Sequence, residues 1–207
     1  MSFLTTKPQS EKARKKLQPG SVCHIDEAEF GYDVLAFEVD HSIYGAAAYV
    51  VYGDIAVAYT GDIRAHGKLA EKTRKFVKRA KDASALIIEG TRASREDYNE
   101  SEKIVFENCL REVEEAKGLV VADFSPRNFE RLETFREIAE RTGRQLVITT
   151  KDAYMLYALE RADGIDRMSD LTIYRELKDR KENWEKFVES MWGERFVDPC
   201  LLYTSPS

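Results

Sequence analysis

Short apolar runs and amphipathic stretches alternate along the chain, and this alternation predicts most of its elements. Residues 34–39 form a mostly apolar run that stops at Asp40-His41-Ser42. Residues 46–52 form a second run, Gly53-Asp54 is a turn dipeptide, and residues 55–59 form a third run that ends at Thr60-Gly61-Asp62. Runs of this length between turn residues predict three strands in close succession. The period then changes. Over residues 68–83, Leu69, Thr73, Phe76, Val77 and Ala80 recur at helical spacing, which predicts a helix burying that face. Residues 85–88 read as a buried strand broken by Glu89-Gly90-Thr91, and 101–117 as a helix with Val105, Cys109, Val113 and Ala116 aligned.

The remainder alternates regularly. Residues 119–122 read as a strand, and 126–141 as a helix burying Phe129, Leu132, Phe135 and Ile138, closed by Gly143 in the manner of a C′ glycine. Residues 146–149 read as a strand and 152–162 as a helix. Strand, helix, strand, helix with short loops implies a parallel sheet covered by helices. After Gly164 the chain reads as charged and helical, with Trp184, Phe187, Val188 and Met191 as its apolar stripe. Residues 1–20 are polar and basic and read as a helical turn plus loop. The expected fold class is therefore α/β: β-rich with a crossover helix up to about residue 90, then doubly wound.

Composition narrows the class only a little. Apolar residues make up 43% of the 207, enough for a core, and the net charge of −5 gives no global reason to expect a polyanion partner. Local charge matters more. Lys7, Lys12, Arg14, Lys15 and Lys16 form one basic cluster and residues 68–81 hold another; a solvated surface is the plain reading of both. Three scattered cysteines without a CxxC pair argue against a disulfide framework and a cysteine zinc site. No apolar run approaches the roughly 20 residues of a membrane span, and no secretion signal opens the chain, so a cytoplasmic protein without a membrane partner is expected.

Polar groups at the ends of buried strands are where α/β proteins place ligands. Three strands here end in such groups: Asp40-His41, Asp62 and Glu89. A neutral imidazole with a carboxylate suits a borderline cation such as zinc, and a carboxylate can bridge two cations that together drive phosphoryl displacement. Singly, each residue has a plainer reading: a hydrogen-bonded loop histidine, a turn, a cap for the next element. Ser125 reads as a helix N-cap and Pro126 as the first helical residue, a combination that also suits phosphate at a helix N-terminus.

Val39-Asp40-His41-Ser42-Ile43-Tyr44-Gly45-Ala46-Ala47 and Tyr59-Thr60-Gly61-Asp62-Ile63-Arg64 resemble the third and fourth metal motifs of metallo-β-lactamase-fold hydrolases. Leu86-Ile87-Ile88-Glu89-Gly90-Thr91-Arg92, followed by Glu100-Ser101-Glu102, is similar to the acidic motif that opens a β-CASP insert. Val120-Val121-Ala122-Asp123-Phe124-Ser125-Pro126-Arg127-Asn128 is similar to a strand-to-helix turn of ribonuclease J-like members. The resemblance spans roughly residues 20 to 165. It implies part of an αββα metallo-β-lactamase sandwich over 1–90 and part of a β-CASP doubly wound parallel α/β domain over 91–199. It also implies His41 as a ligand of one metal, Asp62 as the carboxylate bridging two, and Glu89 as the acid that orients a metal-bound histidine. Ser125, Arg127 and Asn128 would lie near a substrate phosphate. His66 and His24 receive no role.

The activity so implied is hydrolysis of an RNA phosphodiester by metal-activated water, with two zinc ions in the complete parent protein; RNA over DNA rests on the resemblance alone. The main His-x-His-x-Asp-His cage of that family is missing, since His24, His41 and His66 are the only histidines. The chain is therefore expected to be an internal fragment, inactive by itself and without stably bound zinc, because two ligands fall short of zinc's usual three or four. Uncovered apolar strands would favour a homo-oligomer. Residues 200–207, Cys-Leu-Leu-Tyr-Thr-Ser-Pro-Ser, read as a sequencing-adapter artefact rather than native protein. The alternative functions are a non-catalytic nucleic-acid-binding or scaffold β-CASP subunit and a DNA nuclease of the same fold.

Overall fold

A computed structural model describes residues 32–91, 93–94 and 100–200. The expectations for residues 1–20, for His24 and for the tail beyond residue 200 lie outside the described residues. Two compact units divide between Val105 and Phe106. Both are α/β.

The first unit is a mixed four-stranded sheet in the order β1-β2-β3-β4, comprising β1 (Asp33–Glu38), β2 (Ala47–Tyr52), β3 (Ala56–Tyr59) and β4 (Ala85–Ile87). The pair β1–β2 is antiparallel with Glu38 opposite Ala47, and β2–β3 is antiparallel with Tyr52 opposite Ala56, which leaves a three-residue loop at Gly53-Asp54-Ile55. Helix α1 (Ala70–Ala80) then crosses over to bring β4 in parallel to β3. All three strands expected from the first apolar runs form, within a residue of their expected starts. Alternation places Phe37, Ala48, Val50 and Ala58 on the face that meets Phe76 of α1, and with Val39 these residues make the core of the unit. The Phe37 and Phe76 rings lie 5.7 Å apart.

Two expectations fail here, for one reason. Val77 was expected on the buried face of α1 and is half exposed, whereas Thr73 and Phe76 are buried. The 85–88 run was expected to be buried, yet Leu86, Ile87 and Ile88 are 57%, 55% and 62% exposed. Among the described residues of this unit α1 is the one helix packed on the sheet, and β4 lies at its edge with these side chains largely in water. An apolar run reveals what a strand can bury, not whether a partner is there to bury it.

The second unit begins within α2 (Glu102–Glu115) and continues with α3 (Phe129–Thr142), β5 (Val147–Ile148), α4 (Thr150–Asp163), β6 (Thr172–Tyr174), α5 (Asn183–Trp192) and β7 (Phe196–Val197). Its three strands lie in the order β5-β6-β7, both pairs parallel. Leu132, Ile148, Leu156, Met168, Ile173 and Val188 are among the residues of its core. Helix α3 ends on Gly143 at φ 65°, whose N–H reaches the carbonyls of Ala139 and Glu140, as the C′ reading anticipated. Helix α4 opens with a reciprocal capping box between Thr149 and Asp152.

The strand expected over 119–122 does not form. Leu119, Val120 and Val121 are exposed, Val121 at 82%, and a strand without a laddered neighbour has no hydrogen bonds to define it. The stretch after Gly164 is less helical than expected, because β6 and β7 are short strands whose two or three residues give no readable period. Met191, assigned to the apolar stripe of α5, is half exposed, while Val188 is fully buried.

Candidate functional site

Strands β1, β3 and β4 run in the same direction, since β1 and β3 are each antiparallel to β2 and β4 is parallel to β3. Their carboxyl ends therefore share one rim of the sheet, and the loops that leave them carry Asp40-His41, Asp62 and Glu89. This common rim is a consequence of the strand order. It needed the crossover helix, which turns what would have been an antiparallel fourth strand into a parallel one.

The rim is held by backbone contacts that demand glycine. Gly61 sits at φ 57°, and a Cβ there would meet the Ala47 carbonyl oxygen at 2.8 Å. No side chain fits that combination of left-handed backbone and close approach. Gly45 is likewise left-handed at φ 77°, where the chain turns back into β2. The Thr60 N–H donates to the Ile87 carbonyl at 3.0 Å, and its hydroxyl donates to the Gly61 carbonyl at 2.7 Å while accepting from Glu89 N–H at 3.4 Å. The Thr-Gly-Asp and Glu-Gly-Thr loops are thereby laced together.

Beneath the rim lies Asp40, a carboxylate with no exposed surface. One oxygen accepts from Gly67 N–H at 2.7 Å; the other accepts from Leu69 N–H at 3.3 Å and faces Arg64 Nε at 3.4 Å. Its N–H donates to Thr73 Oγ1 at 2.8 Å, and its carbonyl accepts from Arg64 N–H at 2.9 Å. Asp40 thus ties the loop after β1 to the turn after β3 and to the entry of α1. A Cβ on Gly67 would intrude on both Arg64 Nη2 and Asp40 Oδ1. Asp40 and Arg64 both stand inside the motifs quoted above, where neither has an expected role of its own. The available signal was an acid directly before a candidate ligand and a base two residues after another, a pairing that becomes visible only when both are buried together.

His41 is half-buried, and its Nδ1 accepts from Ile43 N–H at 3.3 Å. Asp62 is exposed at the tip of its turn. Glu89 accepts from Thr91 N–H at 2.8 Å. Hydrogen bonds from Thr91, and after them the nearby His41 imidazole, hold its carboxyl below the ordinary value of 4.5. Among the described residues no group of three His, Cys, Asp or Glu side chains could hold a metal ion. His41 and Asp62, the two donors expected from the sequence, fall short of the three or four ligands usual for zinc.

Ser125, Arg127 and Asn128 belong to the second unit. The expected N-cap shifts by three residues. Asn128 caps α3, its side chain accepting from Arg131 N–H at 3.0 Å, while Ser125 offers its carbonyl to Asn128 N–H at 2.8 Å. Pro126 lies in the turn ahead of the helix rather than at its first position. Asn is as good a cap as Ser, and two candidate caps three residues apart cannot be ranked from composition. Ser125 and Arg127 are exposed in that turn.

No family model matches the chain. The chain is similar to ribonuclease J 2 of Staphylococcus saprophyticus subsp. saprophyticus, with 26% identity over 152 residues. That match takes in 69% of this chain and 27% of the relative, so the chain spans about a quarter of the length of the curated protein it matches. Among solved structures it is similar to a protein of unknown function from Enterococcus faecalis V583, at a TM-score of 0.62 and 25% identity, covering 90% of this chain and 41% of that one. The chain is thus an α/β protein distantly similar to a ribonuclease J and sharing its fold with the bacterial protein of unknown function.

Proposed function

We propose that the chain contributes one rim of the active site of a metal-dependent RNA phosphodiester hydrolase of the metallo-β-lactamase and β-CASP type. The observation that carries the reading is the shared rim. Three motifs separated in sequence reach the same end of one sheet, in a chain similar over 152 residues to ribonuclease J 2. In this reading His41 and Asp62 supply two donors toward two zinc ions, and Glu89 supplies a carboxylate beside His41. Ser125, Arg127 and Asn128 stand near a substrate phosphate. The first unit corresponds to part of a metallo-β-lactamase sandwich and the second to part of a β-CASP domain.

The metal, when bound, would supply the activated water; this chain's own part is to hold the donors in place. Asp40 fixes the backbone just before His41 and, through Arg64, just after Asp62, and Gly61 lets the Asp62 turn pass close over β2. Two donors do not retain a zinc ion, so the 207-residue polypeptide alone is expected to be inactive. Sequencing the coding locus around Met1 tests the reading. An in-frame His-x-His-x-Asp-His string upstream, with RNA cleavage by the longer product that His41→Ala abolishes, is the expected result. Cleavage that survives His41→Ala and Asp62→Ala in the longer product would overturn it, as would tight zinc binding by the 207-residue chain after dialysis overturn its expected inactivity.

A further inference from the structure

The rim does not use the strongest charge feature of the molecule. Between Lys68 and Asp82 lie seven of the 32 lysines and arginines and only two of the 37 acids, so this stretch carries +5 in a chain of −5. The structure sorts those charges onto one side of α1. Thr73, Phe76 and Ala80 turn toward the sheet, and Arg74, Lys75, Lys78, Arg79 and Lys81 lie on the exposed arc opposite. Part of this charge is already engaged: Lys72 pairs with Glu38, Arg74 with Glu71 at 3.0 Å, and the Arg79 guanidinium lies over the Tyr52 ring at 5.4 Å. Lys75, Lys78 and Lys81 are different. All three are exposed, and none forms an ion pair among the described residues.

Their spacing has a geometric consequence. Residues three apart on a helix are neighbours on its surface, roughly 5–6 Å between Cβ atoms, so Lys75, Lys78 and Lys81 form a short row of like charges down the helix. Like charges at that spacing repel. A solvated face gains nothing from such a row, whereas a polyanion does. The row also has a direction: α1 begins beside Asp40 under the rim, where Leu69 and Gly67 donate to it, and runs away from there toward the start of β4. We infer that the exposed face of α1 binds the phosphodiester backbone of single-stranded RNA along a path that leads to the rim. This rests on RNA as the partner proposed above and not on the metal chemistry of the rim. No aromatic side chain lies on the exposed arc of α1, since Phe76 is buried, so contact is through phosphate and without base preference.

Anisotropy of a short fluorescein-labelled oligouridylate, titrated with the full 207-residue chain at about 50 and about 200 mM salt, tests the inference. Three lysines on a single strand give a slope of log K against log salt of about −2, or about a 20-fold loss over that range. The triple variant Lys75→Ala, Lys78→Ala, Lys81→Ala is expected to bind about tenfold or more weakly at the lower salt and to lose that slope. The matching triple Lys→Arg variant keeps both, which separates loss of charge from loss of fold. If the parent chain binds the RNA and the alanine variant binds it equally with the same slope, the surface is wrong while RNA as partner stands. If the parent chain shows no salt-dependent RNA binding, or binds anionic lipid vesicles in its place, the inference fails outright. Cleavage by the longer product, tested separately, decides the reading of the rim.

Discussion

Removing the Asp40 side chain should cost the first unit more than any other single truncation at the rim. Asp40→Ala deletes a carboxylate with no exposed surface, leaves Gly67 N–H and Leu69 N–H without this acceptor and removes the negative charge facing Arg64 Nε. Breaking a buried ion pair by deleting one partner costs about 3–5 kcal/mol, and a buried donor left unsatisfied about 1–3 kcal/mol. These losses belong to one network and do not add, so the estimate stays at about 3–5 kcal/mol. Against a stability of about 5–15 kcal/mol that is a large share, and at about 4–8 °C per kcal/mol it lowers the midpoint of the unit by more than about 12 °C. The assay is denaturation followed in two channels. Both tryptophans, Trp184 and Trp192, lie in the second unit, so their fluorescence reports that unit, and circular dichroism carries the first. Asp40→Asn, which keeps the shape and one acceptor, should cost less. In a double-mutant cycle with Arg64→Ala the coupling should reach about 0.5–3 kcal/mol. A cost below about 1 kcal/mol for Asp40→Ala, with no coupling to Arg64, would show that the carboxylate is not the tie described above, since that is the range of an exposed pair.

Other substitutions separate competing local readings. Asn128→Ala should destabilise the second unit by about 1 kcal/mol and Ser125→Ala by less than about 0.5 kcal/mol, since only the first residue caps α3; equal losses in a urea titration would refute the assignment. Gly61→Ala should cost at least about 1–2 kcal/mol from its left-handed backbone alone, with further loss against the Ala47 carbonyl, measured by the same circular dichroism transition. Ile88→Lys should change stability by less than about 0.5 kcal/mol and reduce self-association in sedimentation velocity, because the side chain is already in water at an open edge. Acid should weaken the second unit in a defined window. Lys178 holds Glu185, and Lys181 with Arg175 holds Glu189, below the ordinary carboxylate value of 4.5. Groups lowered on folding stabilise fully above their unfolded value and lose that contribution as pH falls through the folded one, so the fluorescence midpoint should drop progressively below about pH 4.5. Glu185→Gln and Glu189→Gln together should flatten the drop; an unchanged acid profile would refute the linkage.

The alternation of apolar and polar residues by itself determined the order and type of most elements. Short apolar runs ending in turn residues placed β1, β2 and β3, and the helical recurrence of Leu69, Thr73, Phe76, Val77 and Ala80 placed α1. Gly143 marked the end of α3 because only a residue free of Cβ strain enters the left-handed region cheaply. These features are local, and local chemistry is written in neighbouring residues. Burial was not legible in the same way. Leu86 to Ile88 and Leu119 to Val121 have the composition of core strands, yet they are exposed, because a core position depends on a second surface that distant residues supply. The short strands β6 and β7 were missed because two or three residues carry no period.

The candidate site divides along the same line. His41, Asp62 and Glu89 could be picked out as ionisable groups at strand ends, and that is a property of sequence. Their meeting at one rim is decided by strand order: the two antiparallel pairings and the single parallel crossover that make β1, β3 and β4 point the same way. Asp40 shows the limit most clearly. In the sequence it is one acid among many, and only the fold removes it from water and surrounds it with Arg64, Gly67, Leu69 and Thr73. Desolvation is what turns a charged side chain into a structural tie, and desolvation is created by residues distant in the chain. The sequence alone could specify the chemistry of these side chains; tertiary structure decided which of them water still reaches.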